Sequence, residues 1–248
     1  MIEKILDGFR VFTFEKLRKD RKIFCCVFSK FANGKTDADF SLSKLGSDKK
    51  FKSFLKSRGA NSLFLPLQRH TANVYTVRDY SHQSSENFDA SCSNLPGKAL
   101  AGFSADCSVS LFYDRKNRAI GICHAGWKGA LLDIYSNLFK TMSLNYGTRP
   151  QDLFVGVGPF ISQANYPVKE ELIEKFRSFY GRAAKKFYYE SEGVIRFSLE
   201  KVLRFQLKEL GIKDFEFSGF CTFDDNELFH SHRRNDKGRF AMLAFLRR

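Results

Sequence analysis

The 248-residue chain has a single tryptophan, only five prolines and no long apolar run. Its apolar stretches, such as SLFLPL at 62–67, fall far short of the roughly 20 residues that a membrane-spanning helix needs. Its first ten residues lack the apolar region of a secretory signal. No segment is rich enough in proline, glycine or serine to form a linker, and none repeats at a fixed period. We therefore expect one cytoplasmic domain over residues 1–248, with no membrane partner.

Acidic residues are also scarce, because 27 Asp and Glu face 41 Lys and Arg, giving a formal net charge of +14. Such a charge makes phosphates, anionic metabolites or nucleic acid plausible partners. The segment KGRFAMLAF at 237–245 is superficially similar to an RNA-recognition strand, but Arg239 stands where an aromatic is needed. A basic solvated surface explains the charge better than RNA binding does. The six cysteines have no regular spacing, which favours reduced thiols over disulfides.

The distribution of apolar residues predicts a mixed α/β chain. Helical spacing predicts helices over residues 47–60, 127–142, 170–180 and 198–210. Apolar or alternating segments predict strands over residues 99–113, 118–124, 153–158, 214–222 and 239–246, and a β-rich segment over 61–77. The polar stretch 81–96 is the longest predicted loop.

Two short segments concentrate unusual residues. The triplet Ala105-Asp106-Cys107 places polar side chains in an apolar run, where they need hydrogen bonds or a ligand. Viewed alone, Cys107 is more typical of a buried core cysteine beside a capping aspartate. The hexapeptide HAGWKG, from His124 to Gly129, joins a strand to a helix and permits a tight turn. A helix start of this kind favours an anion, although a tight turn around a core tryptophan is an equally good interpretation.

Taken with His70 in QRHT, these segments offer two imidazoles and one thiolate. His70, Cys107 and His124 suit zinc, and three protein ligands would leave a fourth coordination position open, as in catalytic zinc sites. The ligands lie far apart in sequence, so their spacing alone does not show that they converge.

Several motifs, in order, resemble those of the bacterial polyphenol-oxidase/laccase-domain proteins, which are also described as zinc-containing multifunctional purine nucleoside phosphorylases. The resembling segments are Gln68-Arg69-His70, Asp89-Ala90, Ala105-Asp106-Cys107, His124 to Gly129, Gly156 to Ile161, Cys221-Thr222, Ser231 to Arg234 and Gly238-Arg239. HAGWKG is the most specific of these, and the resemblance extends over most of the chain.

The resemblance implies a layered α/β/β/α arrangement of mixed sheets flanked by helices. It implies zinc on His70, Cys107 and His124, and phosphorolysis of adenosine, inosine, guanosine and methylthioadenosine, with adenosine deamination as a further candidate activity. Cys107 and Asp106 are the implied catalytic residues, Asp106 as a ligand-orienting group or proton carrier, although a structural role suits it equally well. The candidate substrate-binding residues are Lys30, Gln68, Trp127, Lys128, Arg233 and Arg234.

Some residues depart from the family pattern. Lys30 and Lys128 stand where the family has arginine, so positive charge is kept but a bidentate fork is lost. Asn165 and Pro167 alter the usual Cys-Tyr-Glu-Val segment, and Ser108 follows the cysteine. These differences bear on the preferred nucleoside and on anion affinity.

Two other enzyme activities would use the same residues. One is a hydrolase, for instance an amidase acting on a cell-wall precursor, with Cys107 as nucleophile and a histidine as base. The other is a copper-dependent phenol oxidase, which the older family name suggests. Copper is the less favoured metal because that chemistry needs more ligands than the sequence offers.

Overall fold

The structure, a computed structural model, describes residues 1–32, 34–45, 47–80 and 87–248. Its strands, in chain order, are β1 (Ile2–Leu6), β2 (Phe9–Thr13), β3 (Ile23–Ala32), β4 (Ser62–Phe64), β5 (Val74–Thr76), β6 (Ala90–Ser93), β7 (Lys98–Ser104), β8 (Ser108–Asp114), β9 (Ala119–Ala125), β10 (Leu153–Val157), β11 (Pro167–Val168), β12 (Tyr188–Ser191), β13 (Val194–Phe197), β14 (Asp214–Phe217) and β15 (Phe240–Leu246). Its α-helices are α1 (Leu42–Leu45), α2 (Lys49–Ser57), α3 (Trp127–Leu131), α4 (Ile134–Tyr146), α5 (Glu170–Tyr180) and α6 (Leu199–Glu209).

The strands form two mixed six-stranded sheets and a small third one. The first sheet has the order β1-β2-β3-β15-β7-β4, and the second has the order β14-β10-β8-β9-β6-β5. The third, β11-β13-β12, is antiparallel. Every residue of β7, β8, β9 and β15 is buried, as expected for strands covered on both faces.

The two large sheets pack face to face and carry helices on their outer faces. Between them lies an apolar layer that includes Val27 and Met242 from the first sheet and Leu111 and Phe154 from the second. Helix α2 covers the outer face of the first sheet, and α4, α5 and α6 cover that of the second. This is the layered α/β/β/α arrangement that the family resemblance implies.

Helix boundaries follow local chemistry. Asp48 precedes α2 and its carboxylate accepts hydrogen bonds from the amides of Lys50 and Phe51, while the Ser198 hydroxyl accepts from the Lys201 amide at the start of α6. Gly147 ends α4 with a left-handed conformation, φ +69°. Among the described residues no helix has the length and apolar character needed to cross a bilayer.

Four predicted elements differ from those observed. The strand predicted over 99–113 is two strands, because Asp106 has φ +91° and turns the chain between β7 and β8. The helix predicted over 127–142 is broken between α3 and α4, where Asp133 has φ +53°. Part of the predicted loop 81–96 is strand β6, which pairs with β5 and β9, whereas residues 81–86 lie outside the described residues.

The strand predicted over 214–222 is also shorter than expected. Strand β14 ends at Phe217, and the Ser218 amide donates to the Val157 carbonyl as the chain leaves the sheet. Residues beyond this point, including Thr222, turn toward the ends of β7 and β8. That departure brings the loop following β14 close to the Asp106 turn.

Candidate metal centre and adjoining cavity

Three side chains from separate loops and strand ends meet at one place. His70 lies between β4 and β5, Cys107 lies in the turn between β7 and β8, and His124 lies near the end of β9. One ligand atom from each residue lies within 4.8 Å of those of the other two. His70 Nε2 is 3.8 Å from Cys107 Sγ, and the two imidazole centroids are 5.1 Å apart. The fold thus brings together the three residues that the sequence singled out.

A buried carboxylate, Asp89, holds two of these residues in place. Its Oδ1 accepts from His124 Nδ1 at 2.8 Å and from the His70 amide at 3.0 Å. Its Oδ2 accepts from the amides of Arg69 and Thr71 and from the Thr71 hydroxyl. Because His70 has φ +60°, these bonds stabilise a backbone conformation that a non-glycine residue rarely adopts. Asp89 therefore fixes both the His70 loop and the orientation of the His124 ring.

The glycine of the HAGWKG turn makes room for the cysteine. A Cβ atom built on Gly126 would lie 2.5 Å from Cys107 Sγ and 3.3 Å from His70 Cδ2. By contrast, a Cβ on Gly129 would make only ordinary contacts, with the nearest atom at 3.5 Å. Gly126 is thus required by the close approach of backbone and sulfur.

Cys107, His124 and Asp89 shift one another's pKa values. Burial acts to raise the pKa of Cys107, but hydrogen bonds and charge from His124 and His70 lower it to about 6. Burial acts to lower the pKa of His124, but Asp89 and Cys107 raise it to about 9. Burial acts to raise the pKa of Asp89, but hydrogen bonds from His124 and Thr71 hold it at about 2. The arrangement favours an anionic sulfur, the form that binds metals and attacks electrophiles.

The residues present fit a zinc ion. Two imidazoles and a thiolate are preferred zinc ligands, and donor atoms around tetrahedral zinc lie about 3.5 Å apart, given bond lengths of roughly 2.0–2.3 Å. The 3.8 Å separation of His70 Nε2 from Cys107 Sγ is close to that spacing. Asp89 engages His124 Nδ1 and leaves Nε2 for the metal, as in carboxylate–histidine–zinc triads. Among the described residues, this is the one such group of three or more ligands.

The three ligands open into a cavity of about 620 Å³, a volume typical of small-molecule sites. Its walls carry the positively charged side chains of Arg69, Lys128, Arg233 and Arg239. Asp106 also lines the cavity, but its carboxylate accepts from the Thr222 hydroxyl at 2.7 Å and from the Arg233 amide at 2.8 Å. The cavity is therefore suited to an anionic or strongly polar ligand.

The candidate substrate-binding residues divide into two groups. Gln68, Trp127, Lys128 and Arg233 line the cavity. The Gln68 side chain is already paired with the Phe103 backbone. Its Nε2 donates to the Phe103 carbonyl at 2.8 Å, and its Oε1 accepts from the Phe103 N–H at 2.9 Å. Gln68 thus braces the wall of the cavity against β7.

Lys30 and Arg234 are not among the lining residues. The Arg234 guanidinium donates to the carbonyls of Thr222, Phe223 and Phe229 and to the Asp236 carboxylate. Arg234 is therefore placed to hold the loop after β14 together. Asp106 has a similar arrangement, since both its oxygens tie loops together, and this favours the structural one of its two expected roles.

Sequence reasoning gave no role to several residues that shape this site. Asp89 was visible as part of a family-like Asp-Ala step, and Arg239 as part of a Gly-Arg step, but neither pattern indicates what the side chain contacts. Tyr166 and His232 also line the cavity. His232 belongs to the family-like segment Ser231 to Arg234, but that pattern does not indicate that its side chain reaches the cavity, and no local pattern signals Tyr166.

Comparison with known proteins identifies a matching family and several relatives. Residues 47–247 match the family model described as multi-copper polyphenol oxidoreductase laccase. Purine nucleoside phosphorylase YlmD of Bacillus subtilis is 29% identical over 172 residues, which are 68% of this chain and 62% of that protein. A purine nucleoside phosphorylase of Bacteroides thetaiotaomicron is 31% identical over 183 residues, covering 69% of this chain and 68% of that protein.

Solved structures show the same fold. The hypothetical protein YfiH of Bacillus licheniformis superposes with a TM-score of 0.83 at 23% identity, and the match covers 99% of both chains. YlmD of Geobacillus stearothermophilus gives a TM-score of 0.82 at 20% identity over 97% of both chains.

Proposed function

We propose that this chain, which belongs to the multi-copper polyphenol oxidoreductase laccase family, is a zinc-dependent purine nucleoside phosphorylase. The observation that carries the proposal is the convergence of His70, Cys107 and His124 at a cationic cavity of about 620 Å³. Relatives about 30% identical are named purine nucleoside phosphorylases. Adenosine, inosine, guanosine and methylthioadenosine are the proposed substrates, with phosphate as co-substrate.

The cavity offers what phosphorolysis requires of the protein. As the purine leaves, positive charge develops at C1′ of the ribose, and an anionic phosphate must be held against it. Lys128 and Arg233 line the cavity and are exposed, so they can bind that phosphate, whereas Asp106 has both oxygens occupied. When bound, zinc supplies Lewis-acid activation for phosphorolysis and for the proposed deamination of adenosine. Asp89 keeps the His124 ring oriented and the His70 loop in its strained conformation.

The test combines metal content with phosphate-dependent release of purine base. Native protein and the variants His70→Ala, Cys107→Ala and His124→Ala are compared with Cys221→Ser, whose cysteine is partly exposed but does not line the cavity. We expect the three ligand variants to lose stoichiometric zinc and base release, and Cys221→Ser to retain both. Equal cleavage by all five proteins would show that the site is wrongly assigned.

A second candidate is a thiol-dependent amidase acting on a cell-wall precursor. It is favoured by one observation, which is that the sulfur of Cys107 lies 3.8 Å from His70 Nε2. In this case amide hydrolysis persists after chelation and is abolished by alkylation of Cys107, with substrate protecting the thiol. In the metal-dependent case, chelation abolishes nucleoside cleavage and added zinc restores it.

The number of ligand groups argues against copper. A multi-copper oxidase needs several metal sites, whereas the described residues provide the single three-ligand group. We therefore propose zinc as the resident metal. All six cysteines lie within the described ranges and have free thiols, which supports the reducing cytoplasm as the place of the reaction.

A further inference from the structure

A second groove adjoins the cavity and shares one wall with it. The groove has a volume of about 380 Å³, and Trp127, Tyr166 and Arg233 line both spaces. Its remaining lining residues, all from the segment that includes β11 and the first turns of α5, are Pro167, Val168, Lys169, Glu171, Leu172 and Lys175. The larger cavity and the groove therefore adjoin at these three residues.

Positive charge is concentrated on the shared wall. Two ammonium groups lie over the Trp127 ring, Lys128 Nζ at 5.6 Å and Lys175 Nζ at 5.4 Å from its centroid. The Arg233 guanidinium lies over the Tyr166 ring at 5.3 Å. These contacts stabilise the cations by their position over aromatic faces and leave their N–H groups available to a ligand.

The neighbouring acidic residues do not neutralise this wall. On α5, Glu170 and Glu174 both pair with Arg177. Lys175 and Arg233 form no ion pair within the described ranges of the chain. Glu171 contributes the one carboxylate to the groove, against three basic residues, Lys169, Lys175 and Arg233. The groove thus has a net positive charge and aromatic and aliphatic walls.

We propose that this groove binds a phosphoryl group carried by the nucleoside, so that the site prefers nucleoside 5′-phosphates to bare nucleosides. The proposal rests on the proposed function only for the location of the nucleoside in the larger cavity. Lys175 and Lys169 bind the phosphoryl oxygens, and Glu171 opposes binding, whereas Lys128 and Arg233 remain for the inorganic phosphate. Inorganic phosphate, as the co-substrate, occupies the larger cavity instead.

The single tryptophan gives a direct measure of binding. Because Trp127 lines both spaces, its fluorescence reports occupancy by AMP, adenosine or inorganic phosphate without any turnover. We expect Lys175→Gln to lower the affinity for AMP relative to adenosine by up to about fivefold, the range of an exposed charge pair. We expect Glu171→Gln to raise the ratio of the affinity for AMP to the affinity for adenosine. Lys52→Gln, an exposed lysine of α2 on the opposite side of the molecule, is the matched control and leaves the ratio unchanged.

The outcomes separate this proposal from the proposed function. If AMP and adenosine bind equally and neither variant changes their ratio, the groove does not bind a phosphoryl group, even when adenosine is cleaved normally. If Lys175→Gln lowers the affinity for inorganic phosphate as much as the affinity for AMP, the groove is the co-substrate site and the proposal is overturned. If adenosine is not cleaved but AMP binding depends on Lys175 and Glu171 with opposite signs, the groove proposal stands and the proposed function fails.

Discussion

The phenylalanine cluster under α2 and the candidate metal centre are built on opposite principles. In the cluster, the rings of Phe9, Phe28, Phe51 and Phe54 are buried and pack with centroids 5.2–6.4 Å apart. At the metal centre, polar side chains are held by directional hydrogen bonds, and His70 has a left-handed backbone conformation. Packed apolar side chains tolerate small shifts in position, whereas metal ligands must each hold their donor atom at a fixed distance from the ion.

This contrast implies that stability and ligand binding depend on different residues. Removing buried apolar atoms lowers the free energy of unfolding but leaves the distant ligand atoms where they are. Removing a hydrogen bond beside the metal centre changes ligand geometry, at a smaller cost in global stability. Each of the following changes tests one side of that separation.

The largest effect on stability is expected from Phe51→Ala. Phe51 is fully buried and contacts several rings, so its truncation should lower the free energy of unfolding by about 3–5 kcal/mol. Urea unfolding monitored by circular dichroism measures this loss. Leu144→Ala, at a leucine that is 87% exposed, is the control and should change stability little. If folded Phe51→Ala protein binds substantially less than one zinc per chain, the two regions are not independent.

Asp89→Asn should affect both stability and metal binding. An amide provides one acceptor oxygen where the carboxylate has two, and its NH₂ group faces backbone donors, so about 1–3 kcal/mol of stability is lost. Zinc affinity should fall by about 10- to 100-fold, because His124 loses its orienting carboxylate. Competition with a zinc chelator of known affinity measures the change.

Asp106→Asn is the matched comparison for Asp89→Asn. Asp106 also accepts two hydrogen bonds from neighbouring loops, but none of its bonds reaches a ligand histidine. We expect lower stability in this variant, with zinc affinity changed far less than in Asp89→Asn. Similar losses of zinc affinity in both variants would mean that loop rigidity in general, rather than the His124 contact, sets the affinity.

Gly126→Ala tests the close approach at the HAGWKG turn. The added methyl group would lie 2.5 Å from Cys107 Sγ, so the sulfur or the turn must move, at a cost of about 1–3 kcal/mol. We expect weaker zinc binding, measured by the same chelator competition. Gly129→Ala adds the same methyl group inside α3 with its nearest contact at 3.5 Å, and it should leave zinc affinity unchanged.

These residues also show how far the sequence could predict the structure. Apolar periodicity correctly placed α2, α5 and α6, because those helices bury one face against a sheet. It failed at Asp106 and Asp133, where a left-handed residue interrupts an otherwise continuous apolar pattern. Periodicity records which side chains are buried and is insensitive to a single turn in the backbone.

Residue type and resemblance singled out the three candidate metal ligands, whereas the residues that hold them in place were not predicted. His70, Cys107 and His124 are chemically distinctive, so they could be singled out before their distances were known. Asp89 acts through contacts made across 18–35 positions of sequence, and such pairings depend on the sheet topology. The lining role of Arg239 likewise depends on where β15 enters the first sheet.

The smallest expected effect is at Asp214, at the start of β14, where a partly exposed cluster of charges provides a reference for electrostatic changes. Lys16 Nζ lies 2.7 Å from one carboxylate oxygen and Arg115 Nη1 2.5 Å from the other. Burial acts to raise the pKa of Asp214, but the two cations lower it below its usual value. The stabilisation is therefore present above the unfolded-state pKa of about 3.9 and is lost as the pH falls through the lower folded-state value.

Asp214→Asn should lower the free energy of unfolding by less than about 1 kcal/mol at pH 7, because the two ion pairs are partly exposed. The cost should vanish in acid and shrink in high salt. Urea unfolding of both proteins across pH measures this, and an equal cost at pH 7 and in acid would show that charge is not the cause.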